Sequence, residues 1–295
     1  MIDAQTTLVG VIGWPIAHSL SPAMHNAAFD VLGLNWRYLA FPVRPGKVPS
    51  AIAGLVALGF RGTNVTVPHK EAVLSAMDVV PPRVREFGAV NTVIIDRDAE
   101  GQPTLRGENT DVDGFLHALR EGGFEPVGKR VLIVGAGGGA RGVVYALCQA
   151  RAAEVVVLNR TPARASALVG DLASGAGSTS LQAGALTPSA LEQHANEADL
   201  LVNTTTLGMW PHVEASIWPD DRPLPADLAV CDLVYRPLET KLLRQARSAG
   251  AATIDGLGML IAQGALSFEM WTGRWPPVDA MRAACQAALR EEMDA

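Results

Sequence analysis

The sequence predicts an α/β fold in two domains, an N-terminal one with a mainly parallel sheet and a C-terminal doubly wound one, with a cleft between them. Three observations carry this. The chain has 295 residues, more than one core usually serves. Short apolar runs alternate with amphipathic stretches, the pattern of βαβ units. One wholly apolar run, Val131 to Val134, reads as a strand buried on both faces and leads directly into a glycine-rich turn.

Taken in order, Leu8 to Ile12 reads as a buried strand and Gly13 to Leu20 as the loop after it. Ser21 followed by Pro22 predicts a helix start with Ser21 as its N-cap. Trp36 to Val43 reads as a strand, Lys47 to Leu58 as a helix, and Gly62 to Val67 as a third strand ended by Pro68, with a short helix through Ala76. Val90 to Ile95 and Pro103 to Arg106 form a hairpin around Asp98 to Gly101. A helix from Thr110 to Gly122 leads out of the first domain. Further strands are expected at Arg130 to Val134, Glu154 to Leu158, Leu200 to Asn203, Ala229 to Leu233 and Ala252 to Ile254. Two last helices, Leu260 to Trp271 and Val278 to Met293, return to brace the first domain. The expected domains are therefore residues 1–110 plus 256–295, and residues 111–255.

Hydrophobic residues make up 48% and charged ones 18%, which suits a globular protein with a sizeable core. The net charge of −6 and the lack of a basic stripe speak against nucleic acid as a partner. No run approaches the ~18 apolar residues of a membrane span, and Met1 to Val11 lacks the pattern of a signal peptide, so a cytoplasmic protein is expected. Cys148, Cys231 and Cys285 are isolated and read as free thiols. The six histidines show no metal-ligand spacing, and no metal is expected.

The glycine-rich turn runs Gly135-Ala136-Gly137-Gly138-Gly139-Ala140 and fits G-x-G-x-x-G/A between a strand and a helix. Gly135 permits the tight turn, Gly137 lets backbone approach a pyrophosphate, and Ala140 lets helix and strand pack closely. The helix N-terminus adds free N–H groups for phosphate. After the next strand, an NAD enzyme places an acid to hold the ribose 2′-hydroxyl. Here the segment is Asn159-Arg160-Thr161, with Arg164 one turn on. Two guanidinium groups without an acid suit a 2′-phosphate, which makes NADP the expected cofactor.

The first domain carries three polar clusters beside its strand ends. They are His18 to Pro22, Asn64 to Lys70, and Asn91-Thr92 with Asn109-Thr110-Asp111. Together with the second half they present HSLSP, NVTVPHK, GAVNT, NTD, GAGGGARG, NRTPAR, NTTTLGM and DGLGMLIAQ. This ordered set, from about Gly10 to Gly273, resembles the motifs of the shikimate dehydrogenase family.

The resemblance implies an NADPH-dependent, reversible reduction of 3-dehydroshikimate to shikimate, in the pathway to chorismate and the aromatic amino acids. It assigns hydride transfer to the C3 ketone and gives proton handling to Lys70 and Asp111. A lysine titrating near ~10.4 is a cation at neutral pH, able to polarise a ketone and donate a proton. On residue pattern alone Lys70 could equally be a surface residue and Asp111 a helix cap. Ser19 and Ser21 resemble the hydroxyls that hold the substrate carboxylate, although Ser21 has a competing duty as N-cap. Thr66, Asn91, Tyr235 and Gln263 match substrate contacts, and Asn64 is a plausible addition. Asn91 could also be a strand-entry residue and Gln263 a polar helix face. Leu233 and Gly256 match contacts to the nicotinamide, and Asn203 to Met209 should run beside its ribose. The sequence departs from the family after Asp111, where Val112 and Asp113 replace a common glycine.

Two other readings stand beside this one. A catabolic quinate/shikimate dehydrogenase would more often prefer NAD and carry the acid that Asn159 and Arg160 replace. A non-catalytic ligand sensor on the same fold would lack Lys70 or Asp111, and both are present. A monomer or a homodimer is expected.

Overall fold

The computed structural model describes residues 2–293. The chain divides into two compact units, Met1–Asp111 with Ile261–Ala295, and Val112–Leu260. The return to the first unit thus falls at Ile261 and not at residue 256.

The first unit begins with β1 (Thr7–Gly13), α1 (Ser21–Val31), β2 (Trp36–Pro42), α2 (Val48–Ala57) and β3 (Gly62–Val65). A 3-10 turn at Ala72–Ala76 precedes α3 (Pro82–Phe87), β4 (Thr92–Arg97) and β5 (Pro103–Glu108). The strands form one sheet in the order β2-β1-β3-β4-β5. It is mixed, a parallel part joined to the expected hairpin. β1 runs parallel to β2 and β3, while β4 and β5 are antiparallel because a tight turn can only reverse the chain. In that turn Asp98 Oδ1 accepts from the N–H groups of Glu100 and Gln102, and Gly101 takes φ +80°.

Ser21 proves to be the first residue of α1 and not its cap. Leu20 occupies the cap position and no side chain caps the helix. At the sheet's edge, Asn26 of α1 donates to the Tyr38 carbonyl and accepts from the Tyr38 N–H, each at 2.9 Å.

The second unit starts with α4 (Asp111–Glu121), β6 (Arg130–Val134), α5 (Gly138–Gln149), β7 (Glu154–Asn159), α6 (Pro162–Leu172) and β8 (Ser180–Ala185). It continues through α7 (Pro188–Ala195), β9 (Leu200–Asn203), β10 (Ala229–Asp232), α8 (Lys241–Ser248) and β11 (Thr253–Ile254). Its six strands are ordered β11-β10-β9-β6-β7-β8 and all pairings are parallel. The inner strands are the apolar runs of the sequence, and their residues 131–134, 155–158 and 200–202 are buried. The edge strand β8 was not anticipated, because Ser-Leu-Gln-Ala-Gly-Ala has a single large apolar residue and lies largely exposed.

Helix α9 (Gly256–Thr272) begins four residues before the expected Leu260, and α10 (Val278–Met293) follows it. Gly256 lies tight against the second unit's backbone. A Cβ there would stand 2.4 Å from the Leu233 carbonyl oxygen. All three cysteines are free and buried. Among the described residues, no helix is long and apolar enough to cross a membrane.

Within the first unit, the later part of α9 and helix α1 enclose an aromatic cluster around His25. The imidazole is fully buried, stacked 4.3 Å from the Tyr38 ring, with Phe268 and Trp271 beyond. Neither ring nitrogen has a hydrogen-bond partner. Burial alone pushes its pKa down from 6.5 to about 3. The folded protein therefore keeps His25 neutral where the unfolded chain protonates it. Stability from this group is complete above pH 6.5 and falls as the pH drops toward 3, by about 1.4 kcal/mol per pH unit. We expect His25→Leu to flatten the dependence of the urea-unfolding free energy between pH 6 and 4. An unchanged slope would mean that His25 titrates normally.

Candidate active site

The parallel register of β1 and β3 brings two loops to one end of the first unit's sheet. Ile12 lies beside Val65, and the Thr66 N–H donates to the Ile12 carbonyl at 3.0 Å. The loop carrying Ser19 and the segment carrying Thr66 and Lys70 therefore leave the sheet side by side. Because β4 and β5 are antiparallel, Asn91 enters β4, and Asn109 to Asp111 leave β5, at that same end. The hairpin is what makes the site: a purely parallel sheet would place residue 91 at the opposite edge.

Lys70 sits on a short turn whose backbone is fixed at both sides. The His69 N–H donates to the Thr66 carbonyl, and the Val90 N–H donates to the Lys70 carbonyl. His69 is itself buried, with Nε2 2.6 Å from the Val43 carbonyl oxygen. From this turn the Lys70 ammonium reaches Asp111 Oδ2 at 2.6 Å. Both side chains keep a small exposed fraction, 17% for Lys70 and 13% for Asp111. The pair is thus sheltered enough to be strong and open enough to meet a ligand.

Asn91 sets the other oxygen. Its Nδ2 donates 2.9 Å to Asp111 Oδ1, while its Oδ1 accepts from the Thr110 N–H at 2.8 Å and the Thr92 hydroxyl at 2.9 Å. The Asn109 side chain accepts from the Asp111 N–H at 3.0 Å, which fixes the first residue of α4. Gln263 stands at the margin, its Oε1 3.5 Å from Asn91 Nδ2.

Behind these groups lies a buried polar network that the sequence did not reveal. Ser267 on α9 bonds Asn64 Nδ2 at 3.0 Å and the Thr92 hydroxyl at 2.8 Å, and approaches the Thr110 hydroxyl at 3.3 Å. Asn64 also donates to the Asn91 carbonyl and accepts from the Tyr38 hydroxyl at 2.7 Å. Its amide is taken up within the protein, so it positions Asn91 and Thr92 where a substrate contact had been expected. The one available signal was the four-residue step from Gln263 to Ser267, which puts both on one helix face.

Ser19 and Thr66 are half-buried, and Ser21 is buried at 7% exposure. The Ser21 N–H donates to the Ser19 hydroxyl at 3.3 Å. The Ser21 hydroxyl makes no capping bond. Tyr235 lies in the second unit, half-buried on the loop after β10.

The predicted dinucleotide segments gather at the carboxyl end of the second unit's sheet. Val134 is flanked by Leu158 and Asn203, and Asn203 by Asp232. Gly135 takes φ +115°, and a Cβ there would lie 2.4 Å from the Thr204 hydroxyl, so only glycine fits. Around Gly137 and Gly138 nothing lies within 4 Å of an added Cβ, and beside Gly139 only the Leu233 side chain comes as near as 4.0 Å. Helix α5 starts behind them without a side-chain cap. Ala136 is half-buried, and Ala140 is buried against the sheet. Asn159 Nδ2 donates to the Thr161 carbonyl at 2.9 Å, which shapes the turn into α6. Arg160, Thr161 and Arg164 are exposed. A glycine-lined cradle at a helix start, followed by two exposed guanidinium groups, fits a phosphorylated dinucleotide. Among the described residues no cluster of three histidine, cysteine or acidic side chains could hold a metal ion.

The same division appears in comparisons with known proteins. Residues 11–93 match the shikimate dehydrogenase substrate binding domain, residues 119–211 the shikimate/quinate 5-dehydrogenase family, and residues 256–286 the shikimate 5′-dehydrogenase C-terminal domain. A shikimate dehydrogenase (NADP(+)) of Moorella thermoacetica is 50% identical, covering 100% of this chain and 96% of its own. The structure of a Thermus thermophilus shikimate 5-dehydrogenase in complex with NADP(H) and shikimate is 42% identical, covering 96% of this chain and 99% of its own, with a TM-score of 0.83. A Corynebacterium glutamicum quinate dehydrogenase in complex with NAD is 34% identical, covering 96% and 99%, with a TM-score of 0.85. From its first strand to its last helices, this chain belongs to the shikimate dehydrogenase family.

Proposed function

We propose that the protein catalyses the reversible, NADP-linked reduction of 3-dehydroshikimate to shikimate, with Lys70 and Asp111 handling the proton. The observation that carries this reading is the 2.6 Å contact between the Lys70 ammonium and an Asp111 carboxylate whose other oxygen is already held by Asn91. One carboxylate oxygen is committed to a structural amide and the other orients the ammonium. The ammonium has two further protons to offer.

In the reducing direction NADPH, when bound, supplies the hydride. Lys70 Nζ donates a hydrogen bond to the ketone oxygen, stabilises the negative charge that grows there, and passes a proton to it. Asp111 keeps the ammonium aimed and accepts from a neighbouring substrate hydroxyl. Ser19 and Ser21 supply neutral donors for the substrate carboxylate, and Thr66, Asn91 and Gln263 offer partners for its ring hydroxyls.

On the cofactor side, the open space at Gly137 and Gly138 admits the pyrophosphate against the start of α5. Arg160 and Arg164 hold the 2′-phosphate, with Asn159 and Thr161 shaping their turn. Leu233, Gly256 and the backbone of Gly135 to Gly139 line the rest of the dinucleotide.

Steady-state rates with shikimate and quinate, each with NADP and NAD, test the assignment. Shikimate with NADP should give the highest kcat/KM, and a preference for quinate with NAD would overturn it. Lys70→Ala should lower kcat by about 10²–10⁴ with NADP affinity retained; a loss of only a few-fold would remove Lys70 from its role. Arg160→Ala should raise the KM for NADP far more than that for NAD, and equal effects would refute 2′-phosphate binding.

A further inference from the structure

Asp232 is a fully buried carboxylate that the chemistry above does not use. It ends β10 and accepts from three donors. Asn203 Nδ2 reaches its Oδ1 at 2.9 Å, the Val234 N–H reaches the same oxygen at 3.0 Å, and the Thr240 hydroxyl reaches Oδ2 at 2.7 Å. Burial raises its pKa from 3.8 to about 6 against these hydrogen bonds. Keeping such a group in a dry place is costly, and its removal would leave the Asn203 amide and the Val234 N–H without their shared acceptor.

Asn203 carries the contact onward. Its Nδ2 also donates to the Leu207 carbonyl at 3.2 Å, and its Oδ1 accepts from the Thr205 N–H at 3.0 Å and the Thr205 hydroxyl at 2.7 Å. The turn after β9 is thereby wound around one amide. Its next residue, Thr204, donates through both N–H and hydroxyl to the Val134 carbonyl, each at 2.9 Å. Thr204 is also the residue packed against Gly135, where the glycine-rich loop begins. On the other side, Asp232 holds the Val234 N–H and so the exit from β10 that carries Leu233, whose side chain lies by Gly139.

We propose that Asp232 is a positioning residue for the cofactor: through Asn203 and Thr204 it fixes the floor of the glycine-rich loop, and through Val234 the placement of Leu233. The proposal rests on the reading of that loop as the NADP site. One carboxylate oxygen serves both branches, Oδ1 accepting from Asn203 Nδ2 and from the Val234 N–H, while Oδ2 is tied to Thr240.

The test is isothermal titration of NADP, with shikimate KM and thermal midpoint, on the full-length protein and four variants. Asp232→Ala removes the acceptor of both branches and should raise the NADP dissociation constant about tenfold while the shikimate KM stays within twofold. Asn203→Ser cuts the same link from its other end, should do the same, and decides the matter if Asp232→Ala does not fold. Thr240→Val removes a bond to the other carboxylate oxygen, off this path, so it should lower the thermal midpoint and leave NADP affinity within twofold. If Thr240→Val weakens NADP binding as much as Asp232→Ala, the role is merely structural and the proposal fails. Arg160→Ala is the internal reference. Weaker binding with Arg160→Ala, but not with Asp232→Ala or Asn203→Ser, refutes the positioning role and leaves the cofactor site standing. No change in any of the three refutes the cofactor site itself.

Discussion

The first unit's chemistry depends on a single amide. Asn91 reads the chain on both sides of the hairpin: its oxygen holds the Thr110 N–H and its nitrogen holds Asp111 Oδ1. Those two bonds decide where α4 begins and which way its first carboxylate faces, and so where the Lys70 ammonium comes to rest. An aspartate in place of Asn91 would set like charges against each other, and an alanine would leave the buried Thr110 N–H unpaired. The hydroxyls of Thr92, Thr110 and Ser267 close the arrangement from behind, so every polar group in it is answered by another. Rigidity of this kind suits proton transfer, in which a misplacement of one ångström is expensive.

The second unit solves a different problem with the same means. A dinucleotide needs open backbone, and open backbone is poorly ordered unless something beneath holds it. Glycines supply the opening at residues 137 and 138, where no side chain approaches. Order comes from underneath, from the polar residues Asn203 and Asp232 that end two adjacent inner strands. Polar residues at the carboxyl ends of apolar strands are thus used twice, once to build a binding edge and once to brace it.

Much of this was legible in the sequence. The apolar runs at 131–134 and 155–158 announced parallel strands buried on both faces, and Gly135 to Ala140 with Arg160 and Arg164 announced the kind of ligand. Lys70 and Asp111 stand in separate motifs, and the fold brings them within 2.6 Å of each other. Where pattern failed, the cause was tertiary. β8 is an exposed edge strand, and its one large apolar residue, Leu181, is too weak a pattern to mark it. Ser21 follows a residue that already occupies the cap position, so local propensity misplaced its duty. Asn64 has the right chemistry for a ligand contact, but Tyr38, Thr92 and Ser267 claim its amide, and Ser267 comes from more than two hundred residues away. Contacts of that separation leave no local trace.

Asn26 bears on how the molecule behaves among its own copies. The outermost strand of the first sheet, β2, is mostly intermediate or exposed in its side chains, and an unpaired rim of backbone invites a further strand to add on. At the centre of that rim the Asn26 amide already satisfies both the N–H and the C=O of Tyr38. An arriving strand would find the middle rung of its ladder occupied and would have to displace a well-formed pair of bonds to continue past it. A helix residue here acts as a stopper, and the sheet ends where its sequence ends it.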